Sequence, residues 1–383
     1  DGDKPCWESV NVLQKLFMKW FNKERTHEVM TFPVETFNLL NDGNGDYKDK
    51  ENAEFCAEML AEGHSFFIYQ SDSPDALASC CRLRNALENN EFSYTLGAGG
   101  IETGSKGVIT LNLNRIVQDW KNEGCKVTLK ERITEITERV HKYLSAFNDI
   151  VWDYYNNGML QIYNEGFINL DKQFLTIGIN GFVEGAEFLG YRISPDDENY
   201  KQYAIDILTT IKDLNKRDRQ PHCKFNTEFV PAESLGVKNA KWDKEDGYWV
   251  PRDVYNSYFY IVEDTHTTPL EKFELMGKDF TGCLDGGSAL HMNLDEHLSK
   301  AQYEMLMKVA VKDGCNYFTF NIPNTVCNDC GHISKQNLKA CPKCGSTNLD
   351  YLTRVIGYLK RVSNFSEARQ REAKRRYYAD NIQ

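Results

Sequence analysis

Four cysteines near the end of this 383-residue chain are spaced to hold one metal ion. Cys327 and Cys330 form one CxxC pair, and Cys341 and Cys344 form a second pair after ten intervening residues. Two residues between paired thiolates let both sulfurs point at one centre, and four sulfurs complete a tetrahedral, structural zinc site. Two disulfides or an iron–sulfur cluster are the alternatives, but the other eight cysteines do not resemble the disulfide framework of a secreted protein.

A glycine follows this knuckle in residues 354–359, which read Arg-Val-Ile-Gly-Tyr-Leu. The α-carbon of a glycine such as Gly357 can hold an unpaired electron, because it can flatten and both flanking peptide groups delocalise the electron. Taken alone, these six residues predict only a turn glycine. The metal knuckle before them suggests that the metal holds a loop whose position matters.

Cys80 and Cys81 are adjacent and precede Arg82, and they are the second candidate for radical chemistry. A thiol S–H bond is weak enough to exchange a hydrogen atom with a glycyl radical, and a sulfur radical can abstract hydrogen from a sugar carbon. A disulfide between neighbouring residues is strained, so we interpret both as thiols. The alternative is a small buried hydrophobe, the usual role of an isolated cysteine.

Composition narrows the possible functions. The formal net charge of −11 argues against a general nucleic-acid binder, and no apolar run approaches the roughly 18 residues that a membrane helix requires. Twelve cysteines without a recognisable secretion signal predict a reducing, cytoplasmic location. With 41% hydrophobic residues the chain can bury a large core.

Helical and strand-like patterns alternate along the chain, which favours an α/β fold with mainly parallel strands. The expected helices are 6–26, 51–62, 116–122, 127–156, 182–191, 196–214, 296–312 and 366–378. The expected strands are 29–40, 108–113, 173–179, 225–230, 255–262, 288–294 and 315–322, and 71–107 is expected to be irregular.

Together these features resemble the anaerobic, or class III, ribonucleoside-triphosphate reductases. In that family a zinc knuckle precedes an Arg-Val-x-Gly-Tyr-Leu radical loop. Residues 31–36 resemble the family's Thr-Phe-Pro strand, and residues 79–83, Ser-Cys-Cys-Arg-Leu, resemble its Cys-Arg finger loop. Further segments that resemble the family follow in the correct order at 107–113, 176–181 and 231–233.

The resemblance implies the C-terminal half of a ten-stranded glycyl-radical-enzyme α/β barrel over residues 1–322, with a finger loop at about 71–107. The zinc knuckle would occupy 323–350, and the glycyl radical loop with a C-terminal helix would occupy 351–383. Because the family's chains are longer, we expect a fragment, one part of a split enzyme, or part of a longer protein.

The implied mechanism begins when a radical S-adenosylmethionine activating enzyme removes hydrogen from Gly357. The glycyl radical then oxidises Cys81, with Cys80 as the competing candidate, to a thiyl. The thiyl takes the 3′ hydrogen of a ribonucleoside triphosphate, and the 2′ hydroxyl leaves as water. The reductant is left open between formate and a dithiol protein, since formate-using members carry an asparagine where our alignment places Ser105.

Substrate phosphates are expected to meet a polar segment, above all Gly286, Gly287 and Ser288. Backbone N–H groups in such a segment can bind an anion, although a tight turn before a strand is the alternative interpretation. The family also implies a homodimer, and effector sites for dNTP or ATP in an N-terminal part that this chain lacks. The second active-site cysteine would lie in the same part.

Two other functions stay open. One is a different glycyl radical enzyme that cleaves an acyl or diol substrate, against which the four-cysteine knuckle argues. The other is a non-catalytic zinc-ribbon interaction module, which would have no use for Cys81 or Gly357.

Overall fold

The computed structural model describes residues 6–72, 77–78, 84–85, 104–230 and 233–380. The helices are α1 (Trp7–Glu24), α2 (Lys50–Ala61), α3 (Leu113–Asn122), α4 (Leu129–Asn156), α5 (Gln161–Asn164), α6 (Phe182–Phe188), α7 (Glu198–Arg217), α8 (Leu235–Glu245), α9 (Pro269–Leu275), α10 (Lys278–Thr281), α11 (Lys300–Asp313) and α12 (Glu367–Arg375). Within the described ranges, none of them is both long enough and apolar enough for a bilayer crossing.

The strands are β1 (Thr36–Leu40), β2 (Phe67–Ser71), β3 (Leu77–Ala78), β4 (Arg84–Asn85), β5 (Gly104–Asn112), β6 (Gln173–Asn180), β7 (Phe225–Glu228), β8 (Leu290–Asn293), β9 (Tyr317–Asn321), β10 (Asn324–Cys327), β11 (Ile333–Ser334), β12 (Leu349–Arg354) and β13 (Leu359–Arg361). They form one sheet in the order β1-β2-β9-β8, a parallel sheet β5-β6-β7, a sheet β11-β10-β12-β13, and the pair β3-β4. Four of the five pairings in the first two sheets are parallel, as predicted, and β2 with β9 is antiparallel.

Local signals explain where several helices begin and end. Thr128 and Glu131 form a capping box at the start of α4, which satisfies N–H groups that have no partner inside the helix. Ser299 and Gln302 do the same for α11, which ends at Gly314 with a left-handed φ of 72°. The predicted helices at 51–62, 127–156 and 296–312 are confirmed in α2, α4 and α11.

The two faces of the first sheet have different surroundings. On β9, Phe318 and Phe320 join the main hydrophobic core, which helices such as α2, α7 and α11 cover. Tyr317 points to the opposite face and packs with Phe67 and Tyr69 of β2 in a separate small cluster. This alternation follows the two-residue period of a strand, and it leaves aromatic and polar side chains on the face away from the helices.

The strand predicted at 255–262 is wrong, since these residues form turns and bends. Their aromatic side chains favour strands in general, which explains the prediction. In the structure, Tyr258 and Tyr260 are buried, and the Tyr260 hydroxyl donates to the His291 carbonyl at 3.0 Å. The Asn256 N–H donates to the buried Glu184 carboxylate at 2.9 Å, so this backbone is held by a side chain and not by a neighbouring strand.

Candidate active site and metal centre

The four predicted metal ligands come together. The sulfur atoms of Cys327, Cys330, Cys341 and Cys344 all lie within 4.8 Å of one another. Two of the sulfur pairs, Cys327 with Cys344 and Cys330 with Cys341, are 3.6 Å apart. A tetrahedral zinc site with Zn–S bonds of about 2.3 Å places its sulfurs about 3.8 Å apart, and a disulfide requires about 2.05 Å. The arrangement therefore fits zinc, and none of the ten cysteines that the structure describes forms a disulfide.

The knuckle is built from two tight turns that present the thiolates. Gly331 and Gly345 follow the CxxC pairs with φ of 73° and 74°, a conformation that only glycine adopts readily. The Cys327 N–H donates to the His332 carbonyl at 2.9 Å, and the Gly345 N–H donates to the Cys341 carbonyl at 2.9 Å. The group of side chains that could hold a metal ion consists of the four cysteines.

Zinc content gives the first testable prediction. We expect one zinc ion per chain in freshly purified protein, and we expect Cys344→Ser to lose it. Structural zinc contributes about 10–16 kcal/mol of apparent binding free energy, so its loss should raise hydrogen exchange in residues 349–361 while β6 stays protected. Metal analysis and hydrogen-exchange mass spectrometry measure both effects. Cys125→Ser, an exposed cysteine elsewhere, is the matched control, and zinc-free parent protein would refute the assignment.

Strand β12 connects the metal site to the glycine loop. Cys327 in β10 lies opposite Leu349, the first residue of β12, and Gly357 follows the other end of the strand. Six residues of strand span about 17 Å, so the metal holds one end of β12 and the glycine lies beyond the other. The Val355 N–H donates to the Tyr358 carbonyl at 3.1 Å, which closes a tight turn between β12 and β13 with Gly357 in it.

Gly357 lies where the fold does not require a glycine. Its φ is outside the left-handed region, and a Cβ built on it would meet no atom within 4 Å. Other glycines of the chain do have a structural need for glycine. Gly331 has a positive φ, and a Cβ on Gly286 would lie 2.5 Å from the Thr227 carbonyl oxygen. The two residues before Gly357, Val355 and Ile356, are buried.

Asn321, the last residue of β9, joins the glycine loop to the first sheet. Its Oδ1 accepts hydrogen bonds from the Arg354 N–H at 3.2 Å and the Thr353 hydroxyl at 3.1 Å. Its Nδ2 donates to Asn293 Oδ1 of β8 at 2.7 Å. Arg354 thereby lies over Phe67, on the face of the sheet opposite the main core. On its other side the loop packs against Phe365 and α12, through Val355 and Ile356.

The residues after Gly357 are held by a second set of contacts. The Tyr358 hydroxyl donates to Glu233 Oε2 at 2.8 Å, and Lys360 Nζ lies 3.2 Å from Glu233 Oε1. The Tyr358 ring stacks on Phe32, with ring centroids 5.5 Å apart. Two of the family-like segments, 31–36 and 231–233, thus provide contacts to the glycine loop.

Sequence reasoning missed a buried charge cluster beneath this loop, formed by Arg25, Glu35, His64 and Arg354. The Arg354 Nη1 group donates to the Gly357 carbonyl at 3.0 Å, and His64 Nε2 lies 2.6 Å from Glu35 Oε2. Burial raises the pKa of Glu35 to about 8, against the opposing effect of the two arginines. Burial, and then Arg25, lower the pKa of Arg354 to about 9. The only sequence signals were that Glu35 and Arg354 fall within family-like segments.

The predicted thiyl cysteines, Cys80 and Cys81, lie outside the described residues, so their roles remain predictions. The strands on either side of them, β3 and β4, pair antiparallel. Strand β3 contacts β1 and β2, the two strands nearest the segment that carries Phe32 and Glu35.

The predicted phosphate segment, residues 286–288, comes just before β8 in the chain and forms hydrogen bonds with residues in and just after β7. The Gly286 N–H donates to the Thr227 carbonyl at 2.9 Å, so this group is used within the fold, as in the turn interpretation. The Gly287 carbonyl accepts from the Phe229 N–H at 3.2 Å. The buried Ser288 hydroxyl has no hydrogen-bond partner within the described segments, and contact of this segment with substrate phosphates stays a prediction.

Ser105, the residue that bears on the reductant, lies at an irregularity in β5. The register between β5 and β6 shifts between Ser105 and Gly107. The Thr176 hydroxyl donates to Ser105 Oγ at 2.8 Å and lies 2.7 Å from Asn226 Oδ1, so one row of polar side chains crosses β5, β6 and β7.

Comparison with known proteins assigns this arrangement to a family. Residues 3–378 match the sequence profile described as "Anaerobic ribonucleoside-triphosphate reductase". No curated protein sequence matches the chain.

Several solved structures share the fold. An anaerobic ribonucleotide reductase superposes with a TM-score of 0.83 at 28% identity, over 98% of this chain and 59% of that chain. The Thermotoga maritima anaerobic ribonucleotide reductase in complex with dATP and CTP gives a TM-score of 0.79 at 28% identity, over 97% of this chain and 62% of that chain. A glycyl radical enzyme from Archaeoglobus fulgidus, 14% identical, gives 0.62 over 94% of this chain and 54% of that chain, which shows a shared fold only.

These matches confirm the predicted α/β fold of the glycyl radical enzymes, and this chain spans about three fifths of the length of the reductases that it matches. The family match includes the four-cysteine knuckle and the Arg-Val-Ile-Gly-Tyr-Leu loop within its bounds. The chain belongs to the anaerobic ribonucleoside-triphosphate reductase family.

Proposed function

We propose that this chain forms part of an oxygen-sensitive glycyl radical enzyme that reduces ribonucleoside triphosphates to 2′-deoxyribonucleoside triphosphates. The position of Gly357 carries the proposal. It lies in a hairpin turn with a buried arginine on its carbonyl oxygen, where neither φ nor space requires a glycine. A glycine without a structural need is expected where its α-carbon takes part in chemistry.

The proposed reaction begins with removal of a hydrogen atom from the Gly357 α-carbon by a radical S-adenosylmethionine activating enzyme. Gly357 then takes the hydrogen atom of the Cys81 thiol, and the Cys81 sulfur takes the 3′ hydrogen of the ribose. The 2′ hydroxyl leaves as water. The reductant supplies two electrons, either as formate oxidised to carbon dioxide or as a dithiol oxidised to a disulfide, and the 3′ hydrogen returns from Cys81.

The described residues support this chemistry by positioning and by excluding water. Val355 and Ile356 are 2% and 4% exposed, and Tyr358 is fixed by Phe32 and Glu233, so solvent access to the turn is restricted on several sides. Exclusion of water protects a reactive radical from side reactions. Zinc bound by the four cysteines would supply structural stability and no redox chemistry.

The wider properties of the enzyme are proposed by analogy. The Thermotoga maritima relative has been solved with dATP and CTP, and with dATP in its specificity site. We propose a ribonucleoside triphosphate substrate and dNTP or ATP effectors for the enzyme that contains this chain. We also propose a homodimer in the cytoplasm, with formate or a dithiol protein as the reductant.

Two alternatives are less well supported. A different glycyl radical enzyme has the support of the Archaeoglobus fulgidus structure, but that likeness is one of fold, whereas the family match extends over residues 3–378. A zinc-ribbon interaction module would need the knuckle alone, and it gives no reason for a buried arginine to hold the Gly357 carbonyl.

The test is an anaerobic turnover assay on the enzyme that contains this chain, after activation. CTP labelled with deuterium at the 3′ position is supplied with dATP as effector, with formate in one reaction and a thioredoxin system in another. We expect dCTP that retains the deuterium. The matched control is the Gly357→Ala variant, which should give no dCTP. Full radical content with no deoxyribonucleotide under either reductant would contradict the proposal.

A further inference from the structure

Arg354 is the charged residue that contacts Gly357 directly, and its guanidinium is fixed on three sides. Nη1 donates to the Gly357 carbonyl at 3.0 Å, and Nη2 donates to the Ser65 hydroxyl at 3.0 Å. The guanidinium carbon lies 4.4 Å from the centroid of the Phe67 ring, which adds a cation–π contact. Ser65 and Phe67 belong to the first sheet and its entry loop, so the position of the donor is set outside the glycine loop.

Stability alone does not explain a cation at this position. Arg354 is 2% exposed, and Arg25, another cation of the buried charge cluster, is 3% exposed. Glu35 is the carboxylate whose charge acts on both arginines. Replacing a whole buried ion pair by apolar residues is often neutral or stabilising, so stability does not require charged side chains here, and the Phe67 ring would suit an apolar neighbour. The guanidinium is therefore expected to act on the group that it touches.

That group shares the unpaired electron of a glycyl radical. The electron is delocalised when the amide nitrogen donates density and the carbonyl oxygen accepts it. A charge-assisted hydrogen bond to the oxygen favours the form with negative charge on that oxygen, and such bonds are roughly twice as strong as neutral ones. The donor is in place before the radical forms, as effective electrostatic stabilisation requires.

We propose that Arg354 is a positioning residue that holds the Gly357 carbonyl and draws unpaired spin density from the α-carbon onto the peptide group. This inference rests on the proposed function, because it requires a radical at Gly357. It adds a role for a residue of this chain in setting the stability of that radical. Removal of the guanidinium should concentrate the spin on the α-carbon and make the radical easier to quench.

The experiment compares two buried arginines at the same end of β12. Arg376 also donates to this strand, through Nη1 to the Arg354 carbonyl at 2.8 Å. This hydrogen bond goes to Arg354 and not to Gly357, so Arg376 serves as the control. Arg354→Lys and Arg376→Lys both keep the charge, and Arg354→Met removes it. Each protein is activated anaerobically, and its zinc content and circular dichroism are compared with the parent. Electron paramagnetic resonance then gives the radical yield and the splitting caused by the α-hydrogen.

We expect a wider splitting in Arg354→Met, an intermediate one in Arg354→Lys, and the parent splitting in Arg376→Lys. The same hydrogen bond is made to the Gly357 carbonyl before activation. Only the part that strengthens in the radical counts, so the radical yield should fall by up to about tenfold. If Arg354→Met fails to fold, the comparison of the two lysine variants decides the question.

Two results would overturn the inference while the proposed function stands. One is a parent splitting in Arg354→Lys, and the other is an equal change in Arg354→Lys and Arg376→Lys, which would indicate a structural role. A parent protein that forms no radical would instead contradict the proposed function.

Discussion

Gly357→Ala is expected to abolish the radical signal completely while leaving the fold and the zinc content unchanged. A methyl group on the α-carbon clashes with the flanking peptide groups when the carbon becomes planar, which removes the delocalisation that stabilises the radical. The folded chain accepts the methyl group, since a Cβ at this position meets no atom within 4 Å and φ lies outside the left-handed region. The free energy of unfolding should rise by about 0.4–1 kcal/mol, as for Gly→Ala at compatible positions.

The measurements are electron paramagnetic resonance after activation, thermal denaturation, and metal analysis. Ile356→Val serves as the matched control, because it changes the neighbouring residue of the same turn by one methylene-sized step and keeps the glycine. We expect the radical in this control at the parent level. A radical of parent intensity in Gly357→Ala would show that the unpaired electron resides elsewhere.

Cys81→Ser is expected to retain the glycyl radical and lose all turnover. The serine O–H bond is much stronger than a thiol S–H bond, so a glycyl radical cannot take its hydrogen atom, and the ribose is never attacked. Serine nearly keeps the size of the side chain, and the retained radical shows that the activated fold is intact. Radical content by electron paramagnetic resonance and deoxyribonucleotide formation by mass spectrometry are measured on the same activated sample.

Cys80→Ser is the matched control for this prediction, since it makes the same change one residue earlier. It should reduce ribonucleotides at a rate close to that of the parent. The opposite pattern, with turnover kept in Cys81→Ser and lost in Cys80→Ser, would assign the thiyl to Cys80.

The sequence predicted the parts of the structure that have local signals. The CxxC pairs and the glycines after them predict the knuckle, because ligand spacing and turn chemistry are properties of neighbouring residues. Hydrophobic periodicity predicts the helix in α4, and the apolar run at 173–179 predicts β6. The resemblance to the reductases predicted the glycyl-radical-enzyme fold that the family and structure comparisons confirm.

The parts that failed or were missed depend on contacts between distant residues. The strand expected at 255–262 is replaced by turns, because Glu184 binds the Asn256 N–H and the tyrosines pack against His291. The buried charge cluster draws its members from four separate segments, and no local pattern marks Arg25 or His64 as neighbours of the glycine loop. Hydrophobic periodicity predicted α1 correctly. It did not predict that apolar side chains of this helix would be exposed, as Leu13 is, at 67%.

The central claim is that Gly357 carries a radical. Its most direct test is anaerobic electron paramagnetic resonance of the chain after treatment with an activating enzyme and S-adenosylmethionine. We predict a doublet from one α-hydrogen, which collapses when the protein is made with α-deuterated glycine. On exposure to air, mass spectrometry should find the chain cleaved at Gly357, which gives one fragment on each side of this residue. An activated sample without a radical, or a doublet that survives in Gly357→Ala, would contradict the account.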